Sequence, residues 1–316
     1  MEMLQEEEYF DLLFAREVGP NHIAELILSK LQIIPNKLYR YRPINDYLKD
    51  TLMNDIAFLS SADKFNDPYD SGLTVDYNEI HLNKIKDNVL SDFCKEIHYL
   101  YPNQSFESFY TMVKNITKDV PIKYLGDMLG NTLKQEENTN LKSKINYIIE
   151  KTYDVYEDYI KSLNDIYQST IYTACFSETN DNILMWSHYA QYHKGICIEY
   201  DFSNIDYTSR TLLTLSPVKY TNELFDMNNY PNRTPIDRIQ LAALSKFECW
   251  KYENEWRLIS FLKEEQKFKL DKPTAVIFGT KTSKEDKAWI SDLCAERDIP
   301  IKQANLDRTE YKLHIK

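Results

Sequence analysis

Apolar residues recur at two different periods along this chain, and the changes of period mark its elements. Leu4, Phe10, Leu13 and Phe14 fall at helix-like spacing, "GPN" at 19–21 interrupts them, and Ile23, Leu26, Ile27 and Leu31 resume. Residues 2–31 therefore predict two helices. "NKLYRYRP" (36–43) alternates instead and predicts a short strand stopped by Pro43. Residues 55–70 predict another strand and an irregular turn, for which Asn66, Asp67 and Pro68 supply the chemistry. From 78 to 168 the three-to-four spacing returns, first at Leu82, Ile85, Val89, Phe93, Ile97 and Leu100, then at Leu141, Ile145, Ile148, Ile149 and Ile160. Those are amphipathic helices, read as a helical insertion or subdomain.

Residues 170–202 go back to strands. "IYTACFS" and "GICIEYDF" flank the helix-like "DNILMWSHYAQYH", with Asp181 as its predicted N-cap and Gly195 as its terminator. A strand at 216–220, a helix at 235–249, a strand at "AVIFG", a helix at 283–296 and two terminal strands follow. The predicted class is α+β: one domain over 1–316, a mixed or antiparallel sheet core with flanking helices, and the helical insertion at 78–168 within it.

"WKYENEWRLI" (250–259) reads as a strand, because alternation sorts its charges. Glu253, Glu255, Arg257 and Ile259 share one face, and Asn254, Trp256, Leu258 and Ser260 the other. The strand rise puts the two carboxylates about 6.5–7 Å apart. Two readings stay open: a pair of acids gripping one substrate, one with a raised pKa, or a salt-bridge ladder neutralised by Arg257.

Composition narrows the chemistry. The 316 residues carry a formal net charge of −11, which argues against broad contact with a nucleic-acid backbone. The acidic start "MEMLQEEEYF" lacks the order of a signal peptide, and no apolar run approaches a membrane span, so a soluble, cytoplasmic protein without a membrane partner is expected. Five cysteines without a CxxC pair predict buried free thiols. Only six glycines are present, in neither a GxGxxG nor a P-loop arrangement, so any nucleotide would be held by side chains. No GxSxG elbow supports a serine hydrolase.

Several polar positions fall where site residues sit. In "LYRYR", Tyr39 and Tyr41 share one strand face, and Arg40 and Arg42 the other. Arginine suits bidentate binding of phosphate or carboxylate, although two surface arginines would look the same. Asn66 and Asp67 either cap a turn or form a polar pocket rim. Ser177 follows a strand, and Tyr189 and His188 lie on the helix after it. His193 stands five residues from His188, wrong for the usual metal-binding pair, and no metal is predicted.

Taken in order, "LYRYR", "FNDP", "CFSE", "MWSHYA..HKGICIEYDF", "YENEWRLI" and the tail "VIFGTKTS…IPIKQANL…YKLHI" resemble the bacterial domain-of-unknown-function family 2971 over about residues 36–315. More loosely, an early strand with Arg, a middle Ser or Tyr element and a late E-x-E resemble the ADP-ribosyltransferase pattern. That second resemblance implies a transferase that cleaves the glycosidic bond of NAD and passes ADP-ribose to a protein or nucleic-acid acceptor, of the kind found in toxins and anti-phage defence effectors. It implies that Glu255 is the catalytic glutamate and Glu253 its upstream partner, with Tyr189 and His188 beside them. Arg42, Tyr41, Ser177, Asn66 and Asp67 would hold NAD. The chain departs from the pattern: its middle motif is not a plain S-T-S, the helical block stretches the spacing, and Arg257 closely follows the E-x-E. Two other readings are a metal-dependent hydrolase or nuclease, using Glu199, Asp201, Glu253 and Glu255 around Mg²⁺, and a non-catalytic protein-binding module.

Overall fold

The computed structural model describes residues 2–74, 81–120, 161–206, 208–262 and 266–316, with scattered positions between 124 and 158. The chain divides into two units, Met1–Thr74 with Asp165–Lys316, and Val75–Asn164. The fold is α+β.

Strands of the first unit are β1 (Lys37–Arg42), β2 (Ile56–Phe58), β3 (Ser60–Ser61), β4 (Leu73–Thr74), β5 (Tyr172–Ser177), β6 (Ile196–Asp201), β7 (Leu215–Pro217) and β8 (Lys219–Thr221). After them come β9 (Phe225–Asp226), β10 (Ser245–Phe247), β11 (Glu255–Ser260), β12 (Lys267–Lys269), β13 (Ala275–Phe278), β14 (Ile301–Leu306) and β15 (Leu313–Ile315). Nine of them form one sheet in the order β15-β14-β13-β6-β1-β5-β11-β7, with β3 joined to β5. Its pairs are antiparallel except β13 with β14, so the sheet is mixed.

Alternation along the central strands sorts two cores. Leu38, Phe176, Ile198, Trp256, Leu258 and Val276 enter the larger one, covered by Ile290 and Leu293 of the helix Lys284–Glu296. Tyr39, Tyr41, Cys197 and Ile277 face the other side, against Trp186 and Met185 of the helix Ile183–Tyr189. Both buried indoles are satisfied: Trp186 Nε1 donates to the Asn180 carbonyl at 2.8 Å and Trp256 Nε1 to Glu178 Oε1 at 2.7 Å. Burying side chains of this size contributes roughly 1.5–3 kcal/mol each, so this two-sided packing fixes the register on which the site depends.

One row of that register crosses the sheet: Glu199, Tyr39, Ser177 and Glu255 lie opposite one another in turn. β1 pairs with β5 only in that row, Tyr39 opposite Ser177. Toward its start β5 pairs instead with β3, Thr173 opposite Ser60. β1 and β5 therefore diverge, and the opening between them becomes a cavity.

Five local expectations differ from the structure. The segment before β11 is a 3-10 helix (Glu248–Glu253) that ends at Asn254 in the left-handed region, φ 42°, so only Glu255 onward is strand. A short polar side chain tolerates that backbone. The helix after β5 is capped by Asn182, whose Oδ1 accepts from the Leu184 and Met185 amides, not by Asp181. It ends at Tyr189, and Gln191, Tyr192 and His193 turn the chain at φ 49°, 57° and 69° instead of Gly195. Gly195 serves a different need: a Cβ there would lie 2.3 Å from the Arg42 carbonyl oxygen. The helix predicted at 235–249 stops at Ala243, opened by a Thr234–Asp237 capping box. All five cysteines are free, but Cys175 and Cys249 are exposed where buried thiols were expected.

In the second unit, the helices His81–Ile97 and Phe106–Ile116 pack around Leu90, Phe93, Cys94, Phe109 and Val113. Lys86 donates to the carbonyls of Thr117, Lys118 and Val120, satisfying the end of the second helix. The predicted positions Leu141, Ile145, Ile148, Ile149 and Ile160 lie outside the described residues. Among the described residues, no helix is long and apolar enough to cross a membrane.

Candidate active site

The opening between β1 and β5 holds a cavity of about 320 Å³, at the lower end of the range for small-molecule sites. Glu253, Glu255, Tyr189, His188, Arg42, Tyr41, Ser177 and Asn66 all line it. Asp67 does not: its Oδ1 accepts from the Tyr69 amide at 2.9 Å and holds the turn. Ser177 reaches the cavity with its hydroxyl already used, donating to the Glu253 carbonyl at 2.6 Å. Tyr41 likewise donates to the Thr179 carbonyl at 2.8 Å. Those two residues hold the walls in place.

The cavity's charged wall is a buried network that strand reasoning did not reach. Arg257 is wholly buried and uses all five of its N–H donors. Its Nη1 and Nη2 grip Asp70 at 2.6 Å each, Nε donates to Glu255 Oε1 at 2.8 Å, Nη2 to Glu255 Oε2 at 3.0 Å, and Nη1 to the Ala243 carbonyl at 2.7 Å. Lys246 bridges the two glutamates, with Nζ 2.5 Å from Glu253 Oε2 and 2.9 Å from Glu255 Oε2. Trp250 lies against that ammonium, 5.2 Å from it to the ring centroid. The turn at Asn254 makes this convergence: two residues on one continuous strand face would stand further apart.

Two cations thus face three carboxylates, and the two glutamates divide accordingly. Four donors reach Glu255: Lys246, two nitrogens of Arg257 and the Cys175 thiol. That is about as many as a carboxylate accepts. Burial alone would raise its pKa, but Arg257 and Lys246 outweigh burial and hold it far below the usual carboxylate range. Burial pushes Glu253 the other way; Lys246 opposes this, Glu255 adds to it, and the result is a raised pKa. Glu253 Oε1 accepts from the Tyr189 hydroxyl at 2.6 Å. Burial, with Glu253 adding, pushes that phenol well above its ordinary value, so Tyr189 stays a neutral donor. The Cys175 thiol lies deep in the protein yet opens onto the cavity, and burial followed by the Glu255 charge keeps it protonated.

Glu199 and Asp201 do not join this group. Glu199 is held by Lys37 and Lys302 at 2.7 Å each, and three strand steps separate it from Glu255, about 14 Å at the usual spacing. Asp201 caps the Ser203 amide at 2.8 Å. The four carboxylates of the Mg²⁺ reading therefore cannot share one ion. Among the described residues no set of three His, Cys, Asp or Glu side chains is arranged to hold a metal.

Residues 185–258 match the family model described as Protein of unknown function (DUF2971). The matched stretch runs from the helix bearing His188 and Tyr189 through Lys246, Glu253, Glu255 and Arg257, and so contains most of the charged wall. Arg40, Arg42, Asp70, Cys175 and Ser177 precede it. No curated protein and no solved structure matches the chain.

Sequence reasoning missed Lys246 and Asp70. Lys246 sits in "LSKFECW", among apolar neighbours on β10, and a lone lysine in such a run signals a partnered charge. Asp70, in "FNDPYD", carried no comparable signal.

Proposed function

We propose that this cavity is an active site for glycosidic cleavage of a small substrate, NAD being the first candidate, with Glu253 as the proton-exchanging group. The observation that carries the reading is the divided pair of glutamates sharing Lys246: one locked as an anion, one with a raised pKa and unfilled acceptor sites. Environments that drive two carboxyls apart assign acid–base roles. When the bond from ribose C1′ to the nicotinamide nitrogen breaks, its electron pair leaves with nicotinamide, which needs no proton. The acceptor hydroxyl or water that attacks C1′ must lose one. Glu253, a stronger base than an ordinary glutamate, takes it, and Tyr189 orients the carboxylate from the other oxygen. Glu255 keeps Arg257 and Lys246 in place and is a positioning residue.

Nicotinamide release from NAD by wild type, Glu253→Gln and Glu255→Gln tests this. Glu253→Gln is expected to lose at least 100-fold in rate while remaining folded, since the amide fills the same space and Lys246 keeps Glu255 as its partner. Wild type that releases no nicotinamide, or Glu253→Gln that retains full activity, refutes the reading. Retained association with a protein partner in an inactive wild type would favour the binding-module alternative.

A further inference from the structure

The cavity's second wall is charged and unbalanced. Five lysines and arginines line the cavity against three carboxylates, in a chain whose formal net charge is −11. The three carboxylates are already engaged with Lys246 and Arg257. Arg40 and Arg42 are left over. Neither forms an ion pair among the described residues.

Arg40 is 3% exposed. Its Nη2 donates to the Phe58 carbonyl at 3.3 Å, the Tyr200 hydroxyl lies beside the guanidinium, and the Phe176 ring centroid is 5.3 Å away. Its Nε has no partner, and neither does the hydroxyl of Thr173, which lines the same cavity. Burial, then repulsion from Arg40, pushes Arg42 down to about 10. A buried cation without a counter-charge is costly, and orphaned buried donors are rare in native proteins. Both costs disappear if a bound anion completes the site.

We infer that Arg40 and Arg42 form a subsite for the doubly charged phosphate group of a small-molecule substrate. Two guanidiniums balance two negative charges, and the planar fork of Arg matches phosphate oxygens. A single carboxylate would neutralise only one of them. Lys64, also lining the cavity and exposed, adds to the attraction. The inference rests on this cavity being the substrate site, but not on Glu253 being its base.

Calorimetric titration of the full chain with inorganic pyrophosphate, AMP, NAD and adenosine tests it. Pyrophosphate is expected to bind at sub-millimolar concentration, and at least one of AMP and NAD at least tenfold more tightly than adenosine. Preference for AMP would identify a terminal phosphate as the ligand group, preference for NAD an internal diphosphate. Arg42→Gln should lose at least tenfold in pyrophosphate affinity, and Lys37→Met, outside the cavity, should keep it within twofold. Without ligand, Arg42→Met should melt no lower than wild type, because it removes an uncompensated charge. Absence of pyrophosphate binding, equal affinity in folded Arg42→Gln, or a lower melting point of Arg42→Met overturns the inference. Pyrophosphate binding without nicotinamide release would leave it standing and refute the glycosidic reading alone.

Discussion

Lys246→Met puts the charged wall under direct test. The lysine side chain is 5% exposed and is the one cation shared by Glu253 and Glu255. Arg257 cannot replace it, because its donors are committed to Asp70, Glu255 and the Ala243 carbonyl. Methionine keeps the length of the side chain and removes the charge. Breaking a buried ion pair by deleting one partner costs about 3–5 kcal/mol. In a protein of this size that lowers Tm by about 5–8 °C. The loss depends on pH with a definite sign. Without Lys246, the Glu253 carboxyl is raised further above its unfolded value, so the folded variant binds a proton that the unfolded chain has released. Stability then falls as pH rises, by at most about 1.4 kcal/mol per pH unit for one group. The deficit relative to wild type is therefore expected to be larger at pH 8 than at pH 5.5. Lys37→Met is the control: its partner Glu199 is buried but Lys37 itself is 44% exposed, and exposed pairs contribute below about 1 kcal/mol. A Lys246→Met protein melting within 2 °C of wild type at pH 8, or with the same deficit at both pH values, refutes the reasoning.

Two further outcomes follow from the same geometry. The kcat/KM–pH profile of nicotinamide release should rise with pH through a single ascending limb above the ordinary glutamate range, because Glu253 must be ionised to accept a proton and its pKa is raised; a limb at or below the ordinary range contradicts this assignment. Gly195→Ala should cost about 1–3 kcal/mol and weaken pyrophosphate binding, since its Cβ would press on the Arg42 carbonyl from 2.3 Å; unchanged Tm and affinity would show that β1 absorbs the contact freely.

Most of the fold was legible because it rests on periodicity. β1, β5, β6 and β13 lie where alternation put them, and the breaks at Pro43 and at 19–21 fall between elements as predicted. The errors have local causes. "WKYENEWRLI" alternates well enough to pass for one strand, yet only Asn254 can take the left-handed turn easily, and nothing in the alternation marks that. That turn decides the chemistry, since it brings Glu253 and Glu255 onto one ammonium. Arg42 and Glu255 line one cavity. Their meeting depends on β5 lying between β1 and β11, a pairing across more than a hundred residues that composition does not encode. Asp70 was invisible for the same reason: it is identified by its partner Arg257, not by its neighbours in the chain, whereas the apolar run around Lys246 marked a partnered charge without naming the partner.

The division of the two glutamates is the claim on which the rest depends. Carboxyl-carbon NMR titration of ¹³C-glutamate-labelled protein, assigned through Glu253→Gln and Glu255→Gln, measures it directly. Glu253 should titrate above an ordinary glutamate, and Glu255 should stay ionised wherever the protein is folded. Glu253 titrating at or below the ordinary value, or Glu255 taking up the first proton, would contradict the account.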